Sequence, residues 1–488
     1  MFSPLSSIDP VTGQVIAEYA QHSDQEIQHL FNRSDEVQSH WQDQSYAVKK
    51  QHMLRLAQTL DHKKSELARL MAQEMGKLLE EGEREIEKCV WLCRWFAEHA
   101  QAYLRDEHVE TEMEISKVSY HPLGVILAIM PWNFPFWQVF RCAVPAVMAG
   151  NSVILKHSPS TQGCALAIEL LFEEAGFPKS LMQHIRVDNQ RVKQVIQHPS
   201  TRMINFTGST QAGKIVATQA SEVLIPCVLE LGGSDPYLIL EDADLEIAVE
   251  ACTKSRWLNV GQSCIAAKRL IVHQAVYQDF LDRLVNKAQN FELINPLDST
   301  QMVQAVIEKK NHIQDSDTPL TTSSETNKET AKVPLGPMAR VDLRNHLHEQ
   351  VQESCRLGAR SVIGGEIPNH PGAFYPATIL TNVRPGMPAF DEELFGPVAV
   401  VIQAADDHDA ITLANTTSFG LGAAIFTKDQ DKITKYPARL RAANVGLNQM
   451  VSSDPRLPFG GFAQSGWGKE LGREGIRSFT LAQTIVKP

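Results

Sequence analysis

Three short apolar runs, separated by segments of helical character, lie between residues 124 and 206 and constrain the fold more than any other feature. They cover residues 124–130, 152–156 and 203–206 and are rich in isoleucine, leucine and valine. A strand that is buried on both faces has a continuous apolar sequence, and two parallel strands need a long crossover, usually a helix. The alternation therefore predicts an α/β fold built on a parallel sheet.

Polar residues and glycines follow the carboxyl ends of these runs. Asn133 follows the first run and Lys156 ends the second. Gly208 and Ser209 follow the third. Ligands of open α/β sheets bind outside the carboxyl ends of the strands, so these residues predict a nucleotide site. A complete Gly-x-Gly-x-x-Gly fingerprint is absent, and the stretch from Gly208 to Gly213 approximates it only weakly.

A carboxylate and a thiol, each close to glycine, begin and end the next stretch of the chain. Glu230 lies in Leu-Glu-Leu-Gly-Gly at 229–233, and Cys264 ends Gly-Gln-Ser-Cys at 261–264. A cysteine attacks a carbonyl carbon as the thiolate, and a nearby carboxylate can act as general base for the thiol or for water. The residues alone leave two interpretations open: a covalent nucleophile with its base, or an inert buried thiol and an unrelated surface acid.

Length, charge and cysteine usage limit the classes of protein to consider. A chain of 488 residues predicts two or three domains. The 46 basic and 57 acidic side chains give a net charge of −11, which argues against nucleic acid or an anionic membrane as partner. The eight cysteines lack zinc-type spacing, so we expect no metal site and reduced thiols. With no signal-peptide pattern and no apolar run of membrane-spanning length, we expect a cytoplasmic protein.

Periodic patterns also mark the two ends of the chain. Leucine and methionine recur at three- and four-residue steps within residues 24–104, which predicts helices. Apolar and polar residues alternate over 109–119 and 479–486, which predicts two solvated strands in a small sheet. The exposed edge of such a sheet favours pairing with another subunit. We therefore expect a homo-oligomer, either a homodimer or a homotetramer.

Six motifs, in this order, resemble those of the aldehyde dehydrogenase superfamily, and the resemblance spans nearly the whole chain. They are Pro-Trp-Asn-Phe-Pro at 131–135, Phe-Thr-Gly-Ser at 206–209, Leu-Glu-Leu-Gly-Gly at 229–233, Gly-Gln-Ser-Cys at 261–264, Glu-Glu-Leu-Phe-Gly-Pro at 392–397 and Pro-Phe-Gly-Gly at 458–461. Residues 129–135, 155–157 and 231–236 narrow the resemblance to the bacterial NAD(P)-dependent succinate-semialdehyde dehydrogenases.

The resemblance implies an aldehyde dehydrogenase-like arrangement of domains. Residues 1–108 and 124–229 would form a Rossmann-like NAD(P)-binding domain, and residues 230–447 an α/β catalytic domain. Residues 109–123 and 470–488 would form a small β flap for oligomerisation. The polar segment 314–332 resembles an insertion relative to the family, and its composition predicts a flexible surface loop.

The resemblance also assigns the catalytic roles. Cys264 would attack the aldehyde carbon and form a thiohemiacetal. The side-chain amide of Asn133 and the backbone N–H of Cys264 would stabilise its oxyanion. After hydride transfer, Glu230 would activate the water that hydrolyses the resulting thioester.

NAD or NADP is the coenzyme that the resemblance implies, and several residues would bind its adenosine and pyrophosphate parts. Lys156 would hydrogen-bond the adenosine ribose. Gly208 and Ser209 would face the pyrophosphate near a helix N-terminus, and Gly213 belongs to the same glycine-containing stretch.

The remaining coenzyme residues concern the nicotinamide and the choice between NAD and NADP. Trp132 would line the nicotinamide end, and Glu393, with Phe395 beside it, would position the nicotinamide ribose. Pro159 occupies the position where NAD-selective relatives carry a glutamate that repels a 2′-phosphate. Use of NADP therefore remains open, and His157 and Ser158 could assist it.

Arg141 and Ser453 are the substrate residues that the resemblance implies. A distal carboxylate needs a cation, and arginine can bind it with two hydrogen bonds. Succinate semialdehyde is the expected substrate, with glutarate semialdehyde or neutral aldehydes as alternatives. A coenzyme A-acylating reaction is less favoured because Glu230 supplies a base for water. A second interpretation of Arg141, as a structural arginine paired with an acid, remains open.

Overall fold

The computed structural model describes residues 2–298 and 332–488. The loop predicted over 314–332 therefore lies, except for its last residue, outside the described residues. Within the described ranges, two large sheets of six and seven strands are connected by residues 231–234 and flanked by helices. A three-stranded sheet and two pairs of strands accompany them. The predicted α/β class is confirmed.

The first helices and strands precede the large sheets in the chain. They are β1 (Leu5–Ile8), β2 (Val15–Tyr19), α1 (Asp24–Trp41), α2 (Tyr46–His62), α3 (Lys64–Met75), α4 (Leu79–Tyr103), β3 (Glu107–His108) and β4 (Ile115–Pro122). Helix α1 begins at a capping box in which Ser23 and Glu26 satisfy each other's backbone amides. The helical character predicted for residues 24–104 is confirmed.

The apolar runs form the centre of the six-stranded sheet. Its elements here are β5 (Val125–Met130), α5 (Trp137–Met148), β6 (Ser152–His157), α6 (Gln162–Glu174), β7 (Met182–His184), α7 (Val192–Ile196), β8 (Thr201–Thr207), α8 (Thr210–Ser221) and β9 (Cys227–Glu230). The order is β9-β8-β5-β6-β7, with every pair parallel. All residues of β5 and β6 are buried, as expected for strands covered on both faces.

The rest of the described chain builds the second large sheet and the C-terminal strands. Its elements are β10 (Asp235–Ile239), α9 (Leu245–Trp257), β11 (Ala267–His273), α10 (Tyr277–Ala288), β12 (Phe291–Leu293), β13 (Val333–Leu335), α11 (Val341–Arg356), β14 (Arg360–Ile363), β15 (Thr378–Thr381), α12 (Pro388–Asp391), β16 (Val398–Ala404), α13 (Asp407–Asn415), β17 (Gly422–Phe426), α14 (Gln430–Lys435), β18 (Asn444–Leu447), β19 (Gly466–Trp467), α15 (Gly472–Arg477) and β20 (Thr480–Lys487). The sheet order is β14-β15-β16-β11-β10-β17-β18, and only β14 runs antiparallel to its neighbour. Strand β19 adds an antiparallel edge to the first sheet beside β9.

The two alternating segments pair with each other as expected. Strand β20 runs antiparallel to β4 along its whole length, from Thr480 opposite Pro122 to Lys487 opposite Ile115. The strand predicted over 109–119 is displaced, because β4 begins only at Ile115 and continues to Pro122. Residues 109–114 continue the apolar–polar alternation without pairing as a strand, so periodicity alone misplaced the boundary.

The link between the large sheets brings Glu230 and Cys264 into one region. Glu230 ends β9, and Asp235 begins β10, so only four residues separate the sheets. A Cβ atom on Gly233 would lie 2.8 Å from the carbonyl oxygen of Cys264. Glycine therefore permits the close approach of this link to the thiol-bearing segment. None of the described helices is both long and apolar enough to span a membrane.

Candidate active site

A cavity of about 330 Å³ lies where α4, α5, the segment ending at Cys264 and the loop after β18 meet. Its lining combines a thiol, cationic groups, a hydroxyl and aromatic rings, including Cys264, Arg141, Lys88, Ser453, Trp137 and Phe459. Three of the predicted site residues, Cys264, Arg141 and Ser453, thus share one cavity. A concave pocket of mostly apolar surface with a few converging polar groups is typical of a small-molecule site.

The segment before Cys264 has an unusual backbone. Asn259, Val260 and Gly261 all have positive φ angles, of 53°, 57° and 69°. A β-branched residue such as Val260 rarely adopts this region, so surrounding contacts must maintain the conformation. The buried guanidinium of Arg256 does so in part, donating to the carbonyl oxygen of Gly261 at 2.7 Å. The turn presents Cys264 to the cavity.

Asn133 contacts this same segment. Its side-chain nitrogen donates to the carbonyl oxygen of Gln262 at 3.0 Å, two residues before the thiol. Its own carbonyl oxygen accepts hydrogen bonds from the side chains of Asn259, at 2.7 Å, and Lys77, at 3.1 Å. An asparagine amide has two N–H donors, so one remains for an oxyanion formed beside Cys264.

One residue just before α4 and one within it hold the Asn133 region, and sequence reasoning missed both. Lys77, just before α4, and Glu85, within it, form a buried ion pair. Glu85 also accepts hydrogen bonds from the amides of Phe136 and Trp137, at 2.8 and 2.9 Å, at the start of α5. Those amides lack intrahelical partners, and a carboxylate suits a helix N-terminus. The Lys77–Glu85 pair therefore fixes both ends of the 133–137 turn.

Cys264 is partly buried, and burial raises the pKa of its thiol to about 12. The positive charges of Arg141 and Lys268 oppose this effect, while Glu393 and Glu230 add to it. The resting thiol is therefore protonated at neutral pH. It needs a proton acceptor before it can attack a carbonyl carbon.

Glu230 is a buried carboxyl group at the end of β9. Neither of its carboxyl oxygens has a hydrogen-bond partner among the described residues. Burial, with the nearby charge of Glu470, raises the pKa of Glu230 to about 8, while Arg141 and Lys469 oppose the shift. A carboxyl group with a pKa close to neutral pH can exchange protons in either direction, as a general base requires. Glu230 is not among the residues that line the cavity.

Lys268 connects the thiol-bearing segment with a predicted coenzyme residue, and sequence reasoning missed it. Its ammonium group donates to the carbonyl oxygens of Ser263 and Cys264, each at 2.8 Å. It also forms an ion pair with Glu393 at 3.0 Å. Glu393 in turn accepts a hydrogen bond from the amide of Gly233 at 3.2 Å. The thiol-bearing segment, Glu393 and the link between the two large sheets are thus joined around one ammonium group.

The predicted nicotinamide residues lie together. Trp132 and Phe395 pack edge to face, with ring centroids 5.8 Å apart and planes 86° apart. Both rings are only partly buried, so ring surface remains free to contact a planar ligand. The Lys268 ammonium lies 3.0 Å from the Glu393 carboxylate and 5.9 Å from the ring centroid of Phe395, so a carboxylate lies near the aromatic pair.

The predicted adenosine and pyrophosphate residues lie at the carboxyl ends of β6 and β8. Lys156 is buried at the end of β6, donates to the side-chain oxygen of Asn189 at 2.9 Å, and has its pKa lowered to about 8 by burial. Ser158 follows it, and its hydroxyl pairs with that of Ser160 at 3.1 Å. These hydroxyl and ammonium groups are suited to a ribose or a phosphate.

The glycine-containing stretch opens α8. Ser209 is exposed and caps the helix by accepting a hydrogen bond from the Ala212 amide at 3.3 Å. The amide of Gly208 donates to the backbone carbonyl of Glu230 at 3.0 Å. Gly213 packs against Leu231 so closely that a Cβ atom would overlap its side chain. The helix N-terminus fits an anionic group, while Gly213 permits close packing of α8 on the link between the sheets.

Arg141 lines the cavity but is not a free cation. Its guanidinium forms a buried ion pair with Glu470 and lies 4.9 Å from the ring centroid of Phe459. This is the arrangement that the second interpretation of Arg141 anticipated. Ser453 lies on the loop after β18, and its hydroxyl accepts a hydrogen bond from Lys88 at 2.8 Å.

The chain matches the model of the aldehyde dehydrogenase family over residues 3–485. It therefore belongs to the aldehyde dehydrogenase family, and the resemblance seen in the sequence is confirmed. The match includes every strand of both large sheets and all but the last two residues of β20.

Individual relatives share the whole length of the chain. It is 38% identical to the succinate semialdehyde dehydrogenase (NAD(P)+) of Escherichia coli K12 over 481 residues, which cover 99% of this chain and 97% of that protein. It is also 38% identical to a probable succinate-semialdehyde dehydrogenase (NADP+) of Synechocystis over 481 residues, covering 99% of each protein. The crystal structure of succinic semialdehyde dehydrogenase from Streptococcus pyogenes, in complex with NADP+, aligns with a TM-score of 0.89 at 28% identity, covering 99% of this chain and 100% of that one.

Proposed function

We propose that this protein oxidises succinate semialdehyde, or a similarly short aldehyde that carries a carboxylate, to the dicarboxylate with NAD or NADP. The observation that carries the proposal is the cavity in which the Cys264 thiol faces a set of cationic and hydroxyl groups. The names of the relatives, which are 36–38% identical along the whole chain, support the choice of substrate.

In the first step the Cys264 thiol passes its proton to the ionised Glu230 carboxylate, which releases it to water, and the sulfur attacks the aldehyde carbon to give a thiohemiacetal oxyanion. The free N–H of the Asn133 side chain and the backbone N–H of Cys264 donate to its oxyanion. Because Asn133 is fixed by its contacts with Gln262 and Asn259, these donors require little reorganisation when charge develops.

Glu230 is the base of the second half of the reaction. Ionised, it takes a proton from water, and the resulting hydroxide attacks the thioester carbon and releases the acid and the Cys264 sulfur. Its raised pKa suits this role, since a base with a pKa near the working pH both binds and releases the proton.

The coenzyme, when bound, accepts the hydride that leaves the substrate carbon. Four groups of this chain fit a dinucleotide: the Lys156 ammonium, the N-terminus of α8 at Ser209, the Trp132–Phe395 aromatic pair and the Glu393 carboxylate. Lys156 and Ser158 would bind the adenosine part, Gly208 and Ser209 would face the pyrophosphate, and Gly213 would allow α8 to approach. Position 159 is a proline and not a glutamate that would repel a 2′-phosphate, so either NAD or NADP fits this proposal.

Arg141 and Ser453 would contact the distal carboxylate of the substrate, as both line the cavity that contains Cys264. The Phe459 and Trp137 rings in the same cavity would pack against the methylene groups between the two ends. A different aldehyde specificity, for glutarate semialdehyde or neutral aldehydes, is the second candidate.

We further propose a homodimer or homotetramer that acts in the cytoplasm. The edge strand β20 supports the first part, because Leu481 and Val486 are 55% and 54% exposed on it. All eight cysteines are free thiols, which supports a reducing compartment.

A direct assay tests the proposal. The purified protein is mixed with succinate semialdehyde, glutarate semialdehyde or butanal, each with NAD and with NADP, and coenzyme reduction is followed. We expect kcat/KM to be highest for succinate semialdehyde and unchanged by added coenzyme A. Equal values for butanal would contradict the substrate, and dependence on coenzyme A would contradict hydrolysis by water.

A further inference from the structure

We propose that Lys88 supplies the net positive charge that binds the distal carboxylate of the aldehyde, with the hydroxyl of Ser453 as its partner. The inference rests on the proposed function and adds a specificity-determining residue to it. Lys88 lies on α4, outside every motif of the sequence.

Helix α4 presents one row of ionisable side chains to the cavity. Glu81, Glu85 and Lys88 are spaced by four and three residues, which places them on one face of the helix, and all three line the cavity. Lys88 is partly buried. Its ammonium group lies 2.8 Å from the Ser453 hydroxyl oxygen and 4.3 Å from the ring centroid of Trp137.

The cavity lining includes five cationic side chains, and three of them are neutralised by acids. The pairs are Lys77–Glu85, Arg84–Glu80 and Arg141–Glu470. Lys88 forms no ion pair within the described ranges. The two acids whose charges act on Lys88, Glu85 and Asp454, already pair with Lys77 and, at 2.6 Å, with Arg456.

An ammonium group in this position lacks a counterion. Burial, reinforced by the nearby charge of Arg141, lowers the pKa of Lys88 to about 8. Removing a charge from water is costly unless an opposite charge compensates for it. A carboxylate that enters the cavity supplies that charge, so binding of an anionic aldehyde stabilises Lys88 as well as the ligand.

The hydrogen-bond pattern leaves donors available for a carboxylate. The Ser453 oxygen accepts from Lys88, so its own hydrogen is free to donate. Lys88 uses one of its three N–H groups on Ser453 and retains two. The two side chains thus offer adjacent donors to the two oxygens of a carboxylate. Arg141 would still donate hydrogen bonds to the substrate and helps to form the cavity wall, but the negative charge of Glu470 neutralises its positive charge.

The test is to remove the ammonium group and compare a charged with a neutral aldehyde. For Lys88→Met we expect the KM for succinate semialdehyde to rise by about 10–100-fold, the loss of one charge-assisted contact. The kcat with butanal should stay within about twofold, and inhibition by succinate should weaken by the same factor as KM rises. Lys88→Arg, which keeps the charge, should recover most of the affinity.

Two further variants exclude trivial explanations. Lys254 is exposed at the cavity rim, so Lys254→Met removes the same charge outside the proposed contact, and we expect less than about a threefold change in KM. If Lys88→Met loses activity with butanal through misfolding, Lys88→Gln, which can still hydrogen-bond Ser453, is measured for the same selective loss.

The outcomes separate this inference from the proposed function. If Lys88→Met prefers succinate semialdehyde as strongly as the wild type does, the role of Lys88 is overturned and the proposed function is left intact. A wild-type enzyme that does not distinguish succinate semialdehyde from butanal would overturn both.

Discussion

The side-chain amide of Asn133 and the backbone carbonyl of Gln262 are joined by a hydrogen bond of 3.0 Å, although 129 positions separate the two residues. Gln262 precedes Cys264 by two residues, so the contact attaches the end of β5 in one sheet to the thiol-bearing turn that leads into the other. The contact therefore holds the proposed oxyanion donor against the segment that carries the proposed nucleophile.

Replacement of Asn133 should chiefly affect the chemical step. In Asn133→Ala one oxyanion donor is lost, and we expect kcat to fall by about 10²–10³-fold. Steady-state kinetics with the wild type as reference would measure this. A fall of less than about fivefold, in a variant that melts at the wild-type temperature, would mean that another donor serves the oxyanion.

Glu230 should determine the pH dependence of turnover. Its carboxyl must be ionised to act as a base, and its pKa is raised to about 8, so kcat should increase as pH rises through about 8 rather than near the ordinary glutamate value. In Glu230→Gln we expect this increase of kcat with pH to disappear and kcat to fall by about 10²–10⁴-fold. Profiles of kcat against pH for both proteins provide the measurement. A variant that keeps the wild-type limb would assign the titration to another group.

The buried Lys77–Glu85 pair should matter for stability. Glu85→Gln leaves Lys77 as an uncompensated buried charge and weakens the cap of α5, and we expect a loss of about 3–5 kcal/mol in the free energy of unfolding. Chemical denaturation would measure it. Glu80→Gln is the matched control, because the Arg84–Glu80 pair on the same helix is exposed, and it should change stability little. Similar losses in both variants would contradict the role of the buried pair.

Pro159 should bear on the choice of coenzyme. A glutamate at this position, just after Lys156 and Ser158, would repel a 2′-phosphate and hydrogen-bond a 2′-hydroxyl. For Pro159→Glu we expect kcat/KM with NADP to fall at least about tenfold more than with NAD, the effect of placing two negative charges together. Kinetics with both coenzymes at saturating aldehyde would show it. Equal changes for the two coenzymes would mean that the 2′ position of the adenosine ribose does not lie beside residue 159.

The features that were predictable from the sequence are those that local patterns encode. The continuous apolar runs predicted β5, β6 and β8, because strands buried on both faces leave a direct signature. The motif that ends at Cys264 drew attention to the thiol because it contains Gly261, and a glycine suits the positive φ angle of the tight backbone turn there. The start of β4 was misplaced because unpaired residues can continue the same alternation.

The ion pairs around the site were not predictable in this way. Lys268 with Glu393, and Arg141 with Glu470, are brought together by tertiary packing across large separations in sequence. A single sequence carries no periodic signal for such pairs. Lys88 forms no ion pair among the described residues, and its one local indication, the spacing from Glu85 on one helical face, is also typical of any solvated helix.

The covalent intermediate on Cys264 is open to direct observation. Glu230→Gln, which should accumulate the thioester, is mixed with succinate semialdehyde and coenzyme, quenched in acid, digested and analysed by mass spectrometry. We expect the peptide that contains Cys264 to carry one succinyl group, formed together with one equivalent of reduced coenzyme. Reduced coenzyme without any adduct on Cys264, and undiminished turnover by Cys264→Ala, would contradict the mechanism.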